Sequence, residues 1–227
     1  MIAAVVGGMP AAVEARRAHG RAAELDAVTL DAYGTLLRLR DPVGHLAAQL
    51  SIRGVEPESQ AVERAFRAEV EYYVANHLSA RDERSLAELR MRCADVFLGD
   101  LGLELDREEF APAFAYEYEP LPGAPAAVAR LADHGLALAV VANWDVGLYE
   151  QLRAHGLAPY LATVVTAAEV GAAKPDPLPF AVALERLGVR PERVLHVGDS
   201  GADAEGAAAA GVRFAPAPLA TAVAALL

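Results

Sequence analysis

Short apolar runs alternate with longer amphipathic stretches along most of the chain. Each apolar run after the first follows a helical stretch that ends at a glycine, and the runs occupy residues 27–30, 136–141, 163–166, 193–197 and 212–215. Strands and helices that alternate in this order form a parallel sheet through right-handed crossovers. Residues 136–141 contain no polar side chain, as expected for a strand that is buried on both sides. The pattern therefore predicts an α/β core whose parallel sheet is covered by helices on both faces.

A long segment between the first two of these strands has a different period. Residues 58–76 and 85–98 place apolar side chains at helical spacing, Asp41-Pro42 is typical of a helix start, and residues 106–109 resemble a capping box. No run in this segment alternates as a strand would. The predicted organisation is an N-terminal extension (1–25, with a weak helix over 11–25), a core in two parts (26–38 and 119–227) and a helical insert (39–118).

Composition and charge narrow the range of partners. Hydrophobic residues make up 54% of the 227 residues, which is enough for a packed core. Lys and Arg number 20 against 31 Asp and Glu, and the net charge of −11 argues against nucleic acid or an anionic membrane. Cys93 is the single cysteine and cannot form an internal disulfide, and the apolar run at 1–10 is too short to span a membrane. We expect a cytoplasmic monomer or homodimer that binds a small anionic molecule.

Polar side chains follow several of the predicted strands. Asp31 comes directly after a strand, Asn143 lies two positions past the strand at 136–141, Lys174 precedes a helix, and Asp199 and Asp203 follow the strand at 193–197. Ligands of parallel α/β sheets bind at the carboxyl ends of the strands. A carboxylate nucleophile needs a nearby cation when an anionic substrate approaches, and paired carboxylates suit Mg²⁺. The histidines have no metal-ligand spacing and are expected at the surface or at helix ends.

Four segments, in this order and around a helical insert, resemble the haloacid dehalogenase superfamily of hydrolases over about residues 26–215. They are Asp31-Ala-Tyr-Gly-Thr35, Val141-Ala-Asn143, Lys174-Pro-Asp-Pro177 and Gly198-Asp-Ser-Gly-Ala-Asp203. Residues 36–44, Leu-Leu-Arg-Leu-Arg-Asp-Pro-Val-Gly, also resemble the branch called haloacid-dehalogenase-like hydrolase domain proteins.

The resemblance implies a Rossmann-like core with a helical cap over the site. It implies that Asp31 is the nucleophile and forms a covalent intermediate, and that Lys174 orients Asp31 and the substrate anion. It also implies Mg²⁺ bound by Asp31, by Asp199 and by the backbone carbonyl of Tyr33, with Asp203 orienting the metal shell.

The chain departs from the pattern of the family phosphatases at two positions. Tyr33 occupies the place of a second Asp that serves as acid and base, and a phenol is a weaker acid than a carboxylic acid. Loss of a general acid typically costs about 10²–10⁴ in rate. Ala142 stands where these phosphatases use Ser or Thr to bond a phosphoryl oxygen, and Asn143 would replace it only in part. Thr35 lies on the same predicted substrate-binding side.

The string Asp-Ala-Tyr-Gly-Thr itself resembles the 2-haloacid dehalogenases, in which halide leaves without a proton. Those enzymes work without metal and lack the Gly-Asp pair, which this chain keeps as Gly198-Asp199. Arg67 is a candidate for binding a substrate carboxylate. Three hypotheses follow: a Mg²⁺-dependent phosphatase of a small phosphorylated metabolite, which we favour; a metal-independent 2-haloacid dehalogenase; and a catalytically weakened member with a binding role.

Overall fold

The computed structural model describes residues 25–227, so the predicted helix at 11–25 lies almost entirely outside the described residues. Its main sheet has five parallel strands: β1 (Ala27–Leu30), β4 (Ala137–Ala142), β5 (Thr163–Thr166), β6 (Val194–Gly198) and β7 (Arg213–Pro216). They lie in the order β5-β4-β1-β6-β7. A separate antiparallel pair is formed by β2 (Leu37–Leu39) and β3 (Tyr118–Pro120). The predicted parallel α/β sheet is confirmed.

Helices cover both faces of this sheet. Alternate side chains of β1 enter different clusters: Val28 and Leu30 belong to one hydrophobic core, and Ala27 belongs to the other. The first core is closed by α5 (Ala124–Asp133), α6 (Leu148–Ala154) and α10 (Leu219–Leu226), and the second by α8 (Leu178–Leu187) and α9 (Gly201–Ala209), while the one-turn α7 (Ala167–Val170) follows β5. The helix α10 was not predicted from the sequence, because its eight Ala-rich residues lack a clear apolar period.

The segment between β2 and β3 is helical, as predicted. It contains α1 (Pro42–Ser51), α2 (Ser59–Asn76), α3 (Glu83–Leu101) and the short α4 (Arg107–Phe110). These helices have a hydrophobic core of their own, in which the rings of Phe97 and Phe110 stack with centroids 5.7 Å apart. Asp41 caps α1 by accepting a hydrogen bond from the Gly44 amide at 3.0 Å, which confirms the predicted helix start.

The two connections of the helical insert pair with each other. Leu37 lies opposite Pro120 and Leu39 lies opposite Tyr118 in the antiparallel β2–β3 pair. Neither strand is predicted from the sequence, because three residues are too few to show alternation. The insert therefore joins the core through a two-stranded ribbon.

Within residues 25–227, no helix has both the length and the apolar character that crossing a membrane requires.

Candidate active site

The site lies where three neighbouring strands end. Leu30 at the end of β1 is in register with Val140 of β4 and Val197 of β6. The residues that follow these strands are Asp31, Asn143 and Asp199, so the sheet order brings together side chains that are up to 168 positions apart in the sequence.

Lys174 is held between two buried carboxylates. Its Nζ donates to Asp31 Oδ1 at 2.6 Å, to Asp203 Oδ1 at 2.5 Å and to the carbonyl of Val141 at 2.8 Å. Only 3% of the Lys174 side chain is exposed. Lys174 is also the single lysine among the 20 Lys and Arg residues of the chain, which distinguishes it in the sequence. The side chain contributes no surface charge; it compensates the two carboxylates of the site.

The side chain of Asn143 positions Lys174 by bonding to the backbone of Lys174. Its amide group donates from Nδ2 to the Lys174 carbonyl at 2.9 Å, and its Oδ1 accepts from the Lys174 amide at 2.7 Å. Both polar atoms of Asn143 are therefore used within the protein. The adjacent Ala142 ends β4 and presents a methyl group to the cavity.

The environment separates the acidities of Asp31 and Asp203. Burial raises the pKa of Asp31 to about 6, although the nearby Lys174 opposes the shift, and the charge of Asp203 adds to it. Burial would also raise the pKa of Asp203, but the hydrogen bond from His196 and the charge of Lys174 outweigh it and hold this pKa well below its usual range. Asp203 is therefore ionised at neutral pH. A further cation beside Asp31 would favour the ionised form of Asp31 as well.

A buried histidine supports Asp203 from within the sheet. His196 lies on β6, with Nε2 3.0 Å from Asp203 Oδ1 and Nδ1 3.0 Å from the hydroxyl of Thr29. Because the carboxylate can only accept, Nε2 carries the proton and Nδ1 accepts from Thr29. The expectation that the histidines lie at the surface or at helix ends is wrong for His196, which is fully buried. A polar partner on the adjacent strand makes this burial tolerable.

Asp31, Asp199 and Asp203 form an acidic group that could hold a metal ion. Each offers a carboxylate oxygen, and these atoms lie within 4.8 Å of one another. Gly34 makes the approach of Asp199 possible: its φ is +83°, and a Cβ there would lie 1.9 Å from Asp199 Oδ2. Burial raises the pKa of Asp199, and the charge of Asp203 adds to this shift. A hard cation with oxygen ligands fits such a site.

The other predicted site residues take different positions. Tyr33 lines the cavity with 51% of its surface exposed, and its ring lies 6.4 Å from that of Trp144. Thr35 is buried, and its hydroxyl has no hydrogen-bond partner among residues 25–227. Arg67 is not brought to the site: its guanidinium is 3.2 Å from Glu63 on the exposed face of α2.

A cavity of about 590 Å³ joins the strand ends to the helical insert. The core contributes Asp31, Tyr33, Asn143, Lys174 and Asp199, and the insert contributes mostly apolar and aromatic side chains together with Glu69 and Arg90. Lys174 and Arg90 are the basic residues among those lining the cavity. Arg90 was missed by the sequence analysis, although it directly follows buried Leu89 and precedes buried Cys93 by three positions, at the edge of the inward face of α3.

The insert and the core contact each other at the rim of this cavity. The hydroxyl of Tyr73 on α2 donates to Asp145 Oδ2 at 2.6 Å, and Asp145 Oδ1 accepts from the Gly147 amide at 2.6 Å. Burial raises the pKa of Tyr73 well above its usual value, and the charge of Asp145 adds to this shift. The phenol therefore stays protonated and donates the hydrogen bond.

Comparison with known proteins defines the class. Residues 25–211 match the family model described as haloacid dehalogenase-like hydrolase, and the chain therefore belongs to this family of hydrolases, as its motifs predicted.

Individual relatives carry more specific names. The chain is 35% identical to haloacid dehalogenase-like hydrolase domain-containing protein 3 of Mus musculus, over 76% of this chain and 73% of the relative. It is 32% identical to a phosphoglycolate phosphatase of Neisseria meningitidis, over 82% and 77%. It is similar in structure to L-2-haloacid dehalogenase of Xanthobacter autotrophicus, with a TM-score of 0.62 and 28% identity over 87% and 81% of the chains.

Proposed function

We propose that this protein is a Mg²⁺-dependent phosphatase of a small phosphorylated molecule, with Asp31 as nucleophile. The observation that carries the proposal is the position of Asp199, which has a carboxylate oxygen within 4.8 Å of one of Asp31 because Gly34 leaves room for it. A second carboxylate beside the nucleophile serves to bind a metal ion, and a metal ion serves to bind phosphoryl oxygens. A phosphatase among the relatives supports the same choice.

Asp31 and Asp199 would hold the ion, together with the backbone carbonyl of Tyr33. The oxygens of Asp203 already bond Lys174, His196 and Ser200, which fits a role in orienting the site better than direct ligation. When bound, Mg²⁺ would offset negative charge on the phosphoryl oxygens.

The remaining steps use the residues of the chain. Lys174 holds Oδ1 of Asp31, so Oδ2 attacks phosphorus, the bond to the leaving oxygen breaks, and an aspartyl phosphate forms. Water then cleaves this intermediate at phosphorus, which returns Asp31 and releases phosphate. The ammonium group of Lys174 compensates the charge that gathers at the site, while the helical insert excludes bulk water from it.

We also propose that the helical insert, residues 39–118, is a cap domain over the core formed by 26–38 and 119–227. Its separate hydrophobic core and its polar contact between Tyr73 and Asp145 are what a cap that opens and closes requires.

Dehalogenation of a 2-haloacid is a second candidate, favoured by Tyr33. A halide ion leaves without a proton, so a phenol at this position would cost that reaction nothing. Here the carboxylate of Asp31 would attack carbon and displace halide, and no metal would be needed.

Release of phosphate and of halide distinguishes the two candidates. Purified protein is incubated with p-nitrophenyl phosphate or with L-2-chloropropionate, each with Mg²⁺ or with EDTA. We expect phosphate release that needs Mg²⁺ and is abolished in Asp31→Asn but not in the matched control Asp95→Asn, since Asp95 is exposed and forms an ion pair with Arg107 at the surface. Halide release that persists in EDTA would establish the dehalogenase instead.

A further inference from the structure

His196 is a buried polar side chain that the proposed reaction steps do not use. It lies on β6 with none of its surface exposed, and it is not among the residues that line the cavity. The rings of Phe180 and Phe214 lie 4.8 Å and 6.4 Å from it, so these surroundings would suit an apolar residue. A polar ring buried in a sheet costs free energy unless its nitrogens are hydrogen-bonded. Any contribution of His196 to the reaction therefore passes through the residues to which it bonds.

One of these residues is Asp203, whose carboxylate is held on both oxygens. Oδ1 accepts from His196 Nε2 at 3.0 Å and from Lys174 Nζ at 2.5 Å. Oδ2 accepts from the hydroxyl and the amide of Ser200, at 2.5 Å and 3.1 Å. Gly198 lets the carboxylate lie against β6, because a Cβ there would be 2.4 Å from Asp203 Cγ. The imidazole thus fixes the same oxygen that holds the ammonium group of Lys174.

The hydrogen bonds of this region form a series that starts and ends on one strand. The Thr29 hydroxyl lies 3.0 Å from His196 Nδ1, and the two residues are paired in the register of β1 and β6. The series continues through Asp203 to the ammonium of Lys174, which donates to Asp31 Oδ1 at 2.6 Å. Asp31 lies two positions after Thr29, so the backbone of β1 closes the ring of contacts. A fully bonded buried network of this kind is more rigid than a single hydrogen bond.

We propose that His196 and Thr29 are positioning residues for the reaction, and that they act by fixing the carboxylate of Asp203. Through Asp203 they hold the ammonium of Lys174 on Oδ1 of Asp31, so that Oδ2 stays turned to the substrate. The inference rests on the proposed function, in which Asp31 is the nucleophile. Neither His196 nor Thr29 touches the reacting atoms, so a substitution of either should slow the attack without weakening substrate binding to the same extent.

Two pairs of substitutions at these positions separate hydrogen bonding from packing. His196→Leu removes the donor to Asp203, and His196→Gln keeps an N–H donor on a side chain of similar length. Hydrolysis of p-nitrophenyl phosphate by His196→Leu should show a kcat about 10- to 100-fold lower, on the scale of hydrogen bonds to charged groups, with a much smaller change in KM. His196→Gln should restore most of this kcat. Thr29→Val should lower kcat about 2- to 10-fold, and Thr29→Ser, which keeps the hydroxyl, should not.

A control for lost stability is available on the same strand. Val194 is buried on β6 two positions before His196, and it belongs to the hydrophobic core on that face. Val194→Ala should lower the melting temperature, because it removes buried methyl groups, but it should leave kcat and KM unchanged.

A signal from Lys174 tests the same idea without any substrate. Because Lys174 is the single lysine of the chain, protein grown with ¹⁵N-labelled lysine gives one ammonium signal in the NMR spectrum. In metal-free wild type its protons should exchange slowly with water, since Nζ donates to three oxygens. Exchange should become at least about tenfold faster in His196→Leu, and it should stay slow in His196→Gln and in Val194→Ala.

These measurements separate the failure of this inference from that of the proposed function. An unchanged kcat in His196→Leu would overturn the inference while phosphate release by the wild type upholds the function, and so would an equal loss in His196→Gln or in Val194→Ala. If the wild type releases no phosphate but the exchange of Lys174 follows the expected pattern, the proposed function fails and the positioning of Lys174 by His196 stands. If His196→Leu does not fold, the pair Thr29→Val and Thr29→Ser decides, and equal kcat values in these two variants would overturn the inference.

Discussion

Replacement of Lys174 by methionine removes the cation from a site that keeps its two carboxylates. In the wild type, Nζ lies 2.6 Å from Asp31 and 2.5 Å from Asp203, and the three side chains are almost fully buried. Removing one partner of a buried ion pair lowers the free energy of unfolding by about 3–5 kcal/mol, because the other charge remains buried. At about 2–4 °C per kcal/mol for a chain of this size, we expect the melting temperature of Lys174→Met to fall by roughly 6–20 °C at pH 8.

The stability lost in Lys174→Met should be smaller at low pH than at high pH. Burial raises the pKa of Asp31 to about 6, and Lys174 lowers it, so this pKa rises further in Lys174→Met. A folded-state pKa above the unfolded value means that the protonated carboxyl favours folding, so stability is regained as the pH falls. The destabilisation should therefore shrink between pH 8 and pH 5. It should also shrink when Asp31→Asn is added to Lys174→Met, because one of the unpaired charges is then absent.

Thermal unfolding of the metal-free proteins at pH 5, 6, 7 and 8 measures both effects. Arg84→Met is the matched control, because Arg84 is exposed and its ion pair with Glu88 lies at the surface, and the substitution should cost less than about 0.5 kcal/mol of folding stability. A loss in Lys174→Met that stays constant from pH 5 to pH 8, or that Asp31→Asn enlarges, would refute the argument from buried charge.

Three other predictions concern the metal, the leaving group and the insert. Asp199→Ala should weaken Mg²⁺ binding at least tenfold in titration calorimetry, and equal affinities would remove Asp199 from the metal site. Tyr33→Asp should speed hydrolysis of an alkyl phosphate by up to about 10²-fold and change p-nitrophenyl phosphate hydrolysis much less, since only the alkoxide needs a proton; equal gains would contradict an acid at this position. Tyr73→Phe removes the hydroxyl that bonds Asp145, so limited proteolysis at the β2–β3 connections should become faster, and an unchanged rate would mean that this contact does not hold the insert closed.

The apolar runs were enough to predict the core because the central strands β1, β4 and β6 are buried on both faces. Residues 137–142 need apolar side chains at every position, and such a run is visible in the sequence without any partner. The predicted ends of these strands then indicated that Asp31, Asn143 and Asp199 lie together, because the carboxyl ends of parallel strands meet at one edge of the sheet. The local order of the chain thus predicts a site formed from distant segments.

Other features depend on contacts that no local pattern contains. The β2–β3 ribbon pairs Arg38 with Glu119 across 81 positions, and His196 is buried because Thr29 on the neighbouring strand offers it a partner. Whether Arg67 or Arg90 faces the cavity is decided by how the insert helices rotate against one another. Helical spacing indicates that a face is buried, but it does not indicate which charged residue at its edge points into the site.

The single lysine has a consequence for chemical labelling. Reagents that acylate primary amines have two kinds of target in a protein, the α-amino group and the ε-amino groups of lysine. Here the one ε-amine is Lys174, enclosed and hydrogen-bonded to three oxygens. The ε-amine of Lys174 should thus resist labelling under conditions in which the exposed lysines of ordinary proteins react. Acylation of Lys174 would occur only when the site opens, and its rate would report how often the folded molecule exposes its own active centre.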